Sequence, residues 1–230
     1  MDKNMTGIYV EKMDSSKLIE SKIEIEEAIE IYKDNPGAFY PKDFYRNLRR
    51  SHNWQKAVGN MIASMYNVKS IVDFGCGIGS FLEGFKEYGS AVKGFEYLYD
   101  NAKPYIDESV SAFIEQGNAM EDIDCGKFDC VMSIEVAEHI LEEASDKFVQ
   151  NLTNASERFI FFTAATEGQS GSGHINGQPH EFWFEKFEKF GFVLSKEDTE
   201  MVRKEMAKQP FRNKYMKLIQ RTIMVLKRSK

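Results

Sequence analysis

Cysteine is scarce in this chain: three residues in 230, Cys76, Cys125 and Cys130, with no C-x-x-C pair among them. That spacing excludes a disulfide framework and a zinc ribbon, and predicts reduced thiols in a cytoplasmic protein. Long apolar runs are also missing. None reaches the roughly 18 residues that a membrane helix needs, and the polar opening from Met1 to Ser16 has no apolar leader core, so no membrane partner is expected. Only five prolines occur, and no low-complexity linker or internal repeat divides the chain. No G-x-x-x-x-G-K-S/T segment is present, which excludes a P-loop. An excess of positive charge is absent overall, the net charge being −6. Only the end is basic: Arg203 to Lys230 holds ten Lys and Arg against Glu205 alone. Such a stretch either attracts an anionic substrate or solvates a last helix and an edge strand.

What is present is a core and an ordered alternation. Apolar residues make up 42% of the chain, ample for one α/β domain with extra N-terminal helices. Ile25, Ala28, Ile29 and Tyr32 recur at helical spacing within Ile23–Tyr32, and Asn35-Pro36-Gly37 breaks the pattern. An aromatic segment follows (Phe39, Tyr40 and Pro41, then Phe44 and Tyr45) beside Arg46, Arg49 and Arg50; Trp54 to Tyr66 reads as a further helix. Residues 1–52 are therefore expected to form a helical extension, loose over its first 20 residues, and residues 53–230 the main domain.

Strand-like runs at Ser70–Phe74, Ala91–Phe95, Ser111–Ile114, Phe128–Ser133 and Arg158–Thr163 alternate with helices starting near Gly79, Asp100, Val136 and Glu181. Gly191–Ser195 and Gln220–Lys227, also strand-like, suggest an antiparallel pair at one edge, with a basic helical stretch between them. The pattern predicts a three-layer α/β sandwich: a seven-stranded, mostly parallel sheet with an antiparallel last strand and helices on both faces. In such a sheet a ligand lies at the carboxyl ends of the strands.

The first strand of this series ends in Asp73, and glycines follow at alternate positions, Gly75, Gly77 and Gly79, before an amphipathic helix begins. A turn of this kind lets a polar ligand approach backbone N–H groups. The spacing differs from the G-x-G-x-x-G of dinucleotide sites. Glu96 closes the second strand, where a carboxylate accepts ribose hydroxyls. Gly117-Asn118-Ala119 follows the third strand, and Ser133-Ile134-Glu135-Val136-Ala137-Glu138-His139 ends the fourth.

Together these segments resemble a class I S-adenosylmethionine-dependent methyltransferase over Trp54 to Lys227. The resemblance implies S-adenosyl-L-methionine as cofactor and S-adenosyl-L-homocysteine as product. It assigns the methionine part to the glycine turn (Gly75, Cys76, Gly77 and Gly79), its amino group to Asp73, and the ribose to Glu96 with Tyr97 beside it. Adenine falls to Asn118 and Ala119, and the methionine side to Ser133 and Ile134. Many relatives carry Asp where Asn118 stands. N-terminal segments such as residues 1–52 commonly cover the acceptor pocket in this family.

Methyl transfer needs an aligned nucleophile, exclusion of water and often a base. Three of the four histidines fall near the expected site, His139, His174 and His180, the last two in a Gly- and Ser-rich loop from Thr166 to Trp183 that includes Ser170. Histidine titrates near neutrality, so these are the candidate bases. The expected reaction is in-line transfer to a hydroxyl of a small molecule or saccharide by a monomer or homodimer. Glu135, Glu138 and His139 also stand at i, i+3 and i+4, which on a helix share a face and suit a divalent ion. That segment is similar to metal-dependent O-methyltransferases acting on small-RNA 3′ ends and on ubiquinone precursors, which makes a metal-assisted RNA 2′-O-methyltransferase the alternative. A non-catalytic cofactor-binding subunit is a third reading, and it has no need for histidines at the acceptor.

Overall fold

Strands that are apolar at successive positions need cover on both sides. They find it in the computed structural model, which describes residues 8–12, 19–23, 25–40, 43–169, 171–210 and 214–229. Strands β1 (Ile8–Lys12) and β2 (Ile19–Ile23) precede helices α1 (Ile25–Asp34), α2 (Asp43–Leu48) and α3 (His52–Tyr66). There follow β3 (Ser70–Phe74), α4 (Ser80–Tyr88), β4 (Ala91–Glu96), the short α5 (Tyr99–Ala102) and α6 (Glu108–Ser111), β5 (Ile114–Gln116) and β6 (Phe128–Ser133). The rest is α7 (Ser145–Ala155), β7 (Ser156–Phe162), β8 (Gly171–Ser172), α8 (His180–Lys189), β9 (Phe192–Leu194), α9 (Lys196–Met206), α10 (Lys214–Thr222) and β10 (Met224–Arg228).

Seven strands form one sheet in the order β5-β4-β3-β6-β7-β10-β9, with β10 antiparallel to both neighbours and the five strands from β5 to β7 parallel. Alternate residues of one strand feed opposite layers. Ile71, Met132, Phe161 and Val225 face α3, α4, α9 and α10; Val72, Val131, Ile160 and Leu226 face α7 and α8. Chain order runs outward from β3 in one direction and resumes at β6 in the other. A crevice opens at that switch point, past the carboxyl ends of β3 and β6.

The sandwich and the antiparallel edge agree with the sequence reading; several local expectations do not. The third parallel strand is Ile114–Gln116, because residues 108–111 turn into α6 and Val110 is buried beneath the sheet edge. No α-helix starts at Val136. A three-residue 3-10 turn, Ala137–His139, stands there instead, and α7 begins only at Ser145. Residues 214–222 are helical, so the last strand starts at Met224.

The extension also holds a strand pair. β1 and β2 are antiparallel, and β1 runs parallel to β8 of the histidine loop. Residues 1–7 and 13–18, Pro41 and Ser170, part of the extension, aromatic segment and loop read from sequence, lie outside the described residues. Among the described residues no helix is long and apolar enough to cross a membrane.

Candidate active site

β3 ends on Asp73, which is 2% exposed, and the chain turns through Gly75 at φ 77° and Gly77 at φ 57° to Gly79, the N-cap of α4. The turn has no room for side chains: a Cβ at Gly75 would lie 2.4 Å from Val136 Cγ2. Asp73, Gly75, Cys76 and Gly77 line a cavity whose floor continues through Glu96, Tyr97, Asn118 and Ala119. Ile134, Glu135, Val136 and His139 line it as well, Val136 directly against Gly75. Ten residues expected at the cofactor or acceptor thus share one cavity.

Each carboxylate is tuned by its surroundings. Glu96 accepts hydrogen bonds from Tyr45 Oη (2.8 Å), Gly77 N (2.8 Å) and Leu98 N (3.2 Å). Burial raises its pKa and these donors lower it. Asp73 accepts no hydrogen bond among the described residues, and burial, with the Glu96 charge beside it, pushes its carboxyl up to about 8. A buried, unpaired carboxylate of this kind is an open berth for a cationic group such as an amino acid's ammonium. Burial and the two carboxylates also push the Cys76 thiol up, so it stays protonated, a small wall residue rather than a nucleophile.

Other expected residues are placed differently. Ser133 is fully buried and donates to the Phe74 carbonyl (2.9 Å), bracing β6 against the end of β3 rather than facing the cavity. Asn118 lines the cavity, yet its amide caps a local turn: Oδ1 accepts from Met120 N (3.0 Å) and Nδ2 donates to Glu121 (2.9 Å). Gly79 caps α4 and lies outside the cavity wall. His180 opens α8 against Phe184, also away from the wall.

The acidic and histidine residues regroup. Glu135 has a left-handed backbone, φ 55°, which is strained for a side-chain-bearing residue. Its N–H donates to Thr163 Oγ1 (2.7 Å), and its carboxylate accepts from Gln169 Nε2 (3.2 Å). The following 3-10 turn carries Glu138 and His139 elsewhere, so the i, i+3, i+4 face expected of a helix does not form. Glu138, His139 and His174 come together instead, with ligand atoms all within 4.8 Å of one another.

A carbonyl only accepts, so His139 Nδ1–H donates to the Gly173 carbonyl (2.9 Å) and His174 Nδ1–H to that of Gln169 (3.0 Å). Both Nε2 atoms keep a free lone pair. Burial, then the neighbouring His174, drives the His139 imidazole down to about 3, and burial lowers His174. Glu138 is fully buried; backbone N–H groups of Glu138 and Ala165 lie near, but neither carboxylate oxygen has a hydrogen-bond partner. Burial, then Glu135, holds this carboxyl well above the usual range.

The N-terminal extension supplies the roof. Tyr32, Tyr40, Phe44, Tyr45 and Leu48 line the cavity, and the Tyr40 ring stands 5.6 Å from that of His139. Ser172 Oγ donates to the Phe39 carbonyl (2.6 Å), fastening the histidine loop to the extension. Tyr215 of α10 also lines the cavity, beside Asp73, Glu135 and Glu138. Nothing in the basic C-terminal stretch marks Tyr215 in the sequence.

Comparisons with known proteins agree with this fold. A model described as a methyltransferase domain matches residues 45–166. The fold is similar to magnesium protoporphyrin IX methyltransferase from Synechocystis PCC 6803, solved with SAH: TM-score 0.56, 14% identity, covering 89% of this chain and 100% of that one. It is also similar to a TehB-like SAM-dependent methyltransferase from Corynebacterium glutamicum: TM-score 0.55, 18% identity, 85% and 100% covered. The mitomycin 7-O-methyltransferase MmcR gives a TM-score of 0.56 at 12% identity, over 88% of this chain and 60% of that one. At these identities the likeness is one of fold. No curated protein matches the sequence. With the family model covering more than half the chain, and the glycine turn, Glu96 and the sheet order in place, the chain belongs to the methyltransferase-domain family and is a class I S-adenosylmethionine-dependent methyltransferase.

Proposed function

We propose that the protein methylates a hydroxyl of a small molecule or saccharide, with residues 1–52 as the lid and Glu138, His139 and His174 handling the hydroxyl. The supporting observation is the position of that cluster. His139 lines the same cavity as Ile134 and the glycine turn, and Glu138 and His174 lie beside His139, outside the lining. Bound in the cavity, the cofactor supplies a methyl already activated by its sulfonium. The chain then has to orient an acceptor, exclude water and receive a proton. The aromatic roof excludes water, and burial keeps both imidazoles neutral, so their Nε2 lone pairs are open to a hydrogen bond from the acceptor hydroxyl. Label carried from methyl-tritiated S-adenosylmethionine onto saccharide or phenol acceptors tests this reading. Transfer confined to amine or thiol acceptors would overturn it.

A second reading is favoured by one observation: the Glu138 carboxylate is fully buried without a hydrogen-bond donor. Buried carboxylates are normally paired or bound to a metal. Here Glu138, His139 and His174 bring a carboxylate and two imidazoles within 4.8 Å of one another, with His174 Nε2 3.9 Å from Glu138 Oε1, and both imidazoles are oriented by backbone carbonyls as metal ligands usually are. A divalent cation held there would polarise an acceptor hydroxyl and lower its pKa. Calorimetric titration with Mn²⁺ and Mg²⁺, with and without S-adenosylhomocysteine, is expected to show one site per chain, lost in Glu138→Gln. Absence of both binding and rate enhancement leaves the histidines as metal-free bases.

Asp73 gives a pH signature. Holding an ammonium requires the carboxylate, yet in the free protein its pKa is about 8. Binding therefore expels a proton below that pH. Affinity for S-adenosylhomocysteine is expected to rise up to about tenfold per pH unit from pH 6 and to flatten near pH 8. Calorimetry in buffers of differing ionisation enthalpy reads the released proton directly. An affinity flat across this range removes Asp73 from the role.

A further inference from the structure

The ribose carboxylate is nearly full before any ribose arrives. A carboxylate offers about four lone-pair sites, two on each oxygen. Glu96 Oε1 accepts from Tyr45 Oη and Leu98 N, and Oε2 accepts from Gly77 N. The Tyr97 backbone N–H also lies near this carboxylate, so at most one site is left, on Oε2. A ribose cis-diol brings two O–H donors and needs two acceptors, so Glu96 as it stands satisfies only half of the diol.

The missing acceptor is at hand. Tyr45 is 2% exposed and lines the same cavity. Its proton is committed to Glu96, which leaves the lone pairs of Oη as acceptors. It is not a loose side chain. Tyr45 packs with Ile78 of the glycine turn and Ala102, and Leu48, one turn further along α2, sits over the turn itself. A Cβ at Gly77 would lie 3.1 Å from Leu48 Cδ1. Two independent contacts therefore seat α2 on the cofactor side of the cavity.

We propose that Tyr45 is a cofactor-binding residue: its hydroxyl donates to Glu96 Oε1 and accepts one ribose hydroxyl, while the other ribose hydroxyl donates to Glu96 Oε2. The inference rests on reading this cavity as the S-adenosylmethionine site. It gives the extension a second task. The segment expected to cover the acceptor also completes the cofactor site, so cofactor binding and lid position are linked through a single carboxylate.

The test measures S-adenosylhomocysteine affinity by calorimetry for wild type and Tyr45→Phe, with the melting temperature of each unliganded protein as the check on folding. The phenylalanine variant is expected to bind roughly tenfold more weakly, as loss of a buried hydrogen bond to the ligand implies. The 2′-deoxy and 3′-deoxy analogues of S-adenosylhomocysteine provide the readout that a purely structural role would not move. With the analogue lacking the hydroxyl that Tyr45 accepts, wild type and variant should bind alike. Equal binding of S-adenosylhomocysteine by wild type and variant overturns the proposal. Tighter binding by the variant overturns it too and makes Tyr45 a competitor of the ribose. So does a loss that persists undiminished with both deoxy analogues. Failure of the wild-type protein to bind S-adenosylhomocysteine at all would remove the cofactor reading itself, a result distinct from any of these.

Discussion

Single replacement of His139 or His174 by alanine, or of Glu138 by glutamine, is expected to lower turnover by roughly 10²- to 10³-fold and to leave S-adenosylhomocysteine affinity within about twofold of wild type. The split follows from where the groups stand. On the proposed reading the glycine turn, Asp73 and Glu96 hold the cofactor, whereas of this cluster only His139 lines the cavity. A group that acts on the acceptor hydroxyl in the transition state changes kcat; one that anchors the cofactor changes its affinity. The same loss is expected whether the imidazoles take the proton themselves or hold a cation, because each Nε2 lone pair serves either role. His180→Ala is the internal control. It removes an imidazole of the same loop that stands outside the cavity, and turnover should change by less than about threefold. A His180 effect as large as that of His139, or a matching drop in cofactor affinity in the cluster variants, would place the chemistry elsewhere.

The difference between His180 and His174 shows what a sequence can carry. Local geometry is readable. Ser70–Phe74 and Phe128–Ser133 form strands at the expected bounds because central strands are apolar at nearly every position, and the glycine turn is specified by neighbours two residues apart. The cluster, in contrast, depends on a fold-back. The loop returns to Glu138 because β8 pairs with β1, more than 160 residues earlier, and because Ser172 is tied to the Phe39 carbonyl. Glu135 leaves the group through a left-handed φ that no composition rule demands of a glutamate. Edge elements failed for a related reason. Glu115 and Gln116 of β5 are exposed, so no apolar alternation marks them, while Ser111, read as the first residue of that strand, ends α6, whose Val110 is buried.

The largest effect on stability is expected at a residue that sequence reasoning would offer for improvement. Gly84 lies inside α4, where alanine is ordinarily the better residue by about 0.8–1 kcal/mol. Here a Cβ would fall 2.0 Å from the Lys56 carbonyl oxygen and 2.6 Å from Asn60 N, both backbone atoms of α3 that no rotamer change can move. Gly59 of α3 faces α4 in the same way, its Cβ position lying 2.3 Å from the Phe81 carbonyl oxygen. The two helices thus touch backbone to backbone, and Asn60 Nδ2 donates to the Gly84 carbonyl across the contact (3.4 Å). Gly84→Ala forces them apart and loosens the packing of Val58 and Ile62 against Leu82 and Phe85. Overpacking of this kind outweighs the gain in helix propensity, for a net loss of about 3 kcal/mol and a melting temperature lower by roughly 6–12 °C in a chain of this size. The displacement reaches the site as well, because α4 begins at the last glycine of the turn that lines the cavity, so S-adenosylhomocysteine affinity should fall with stability. Thermal unfolding of wild type and variant, with and without ligand, decides the matter. A melting temperature unchanged or raised in Gly84→Ala would mean that propensity governs this position and that the helices have room to spare.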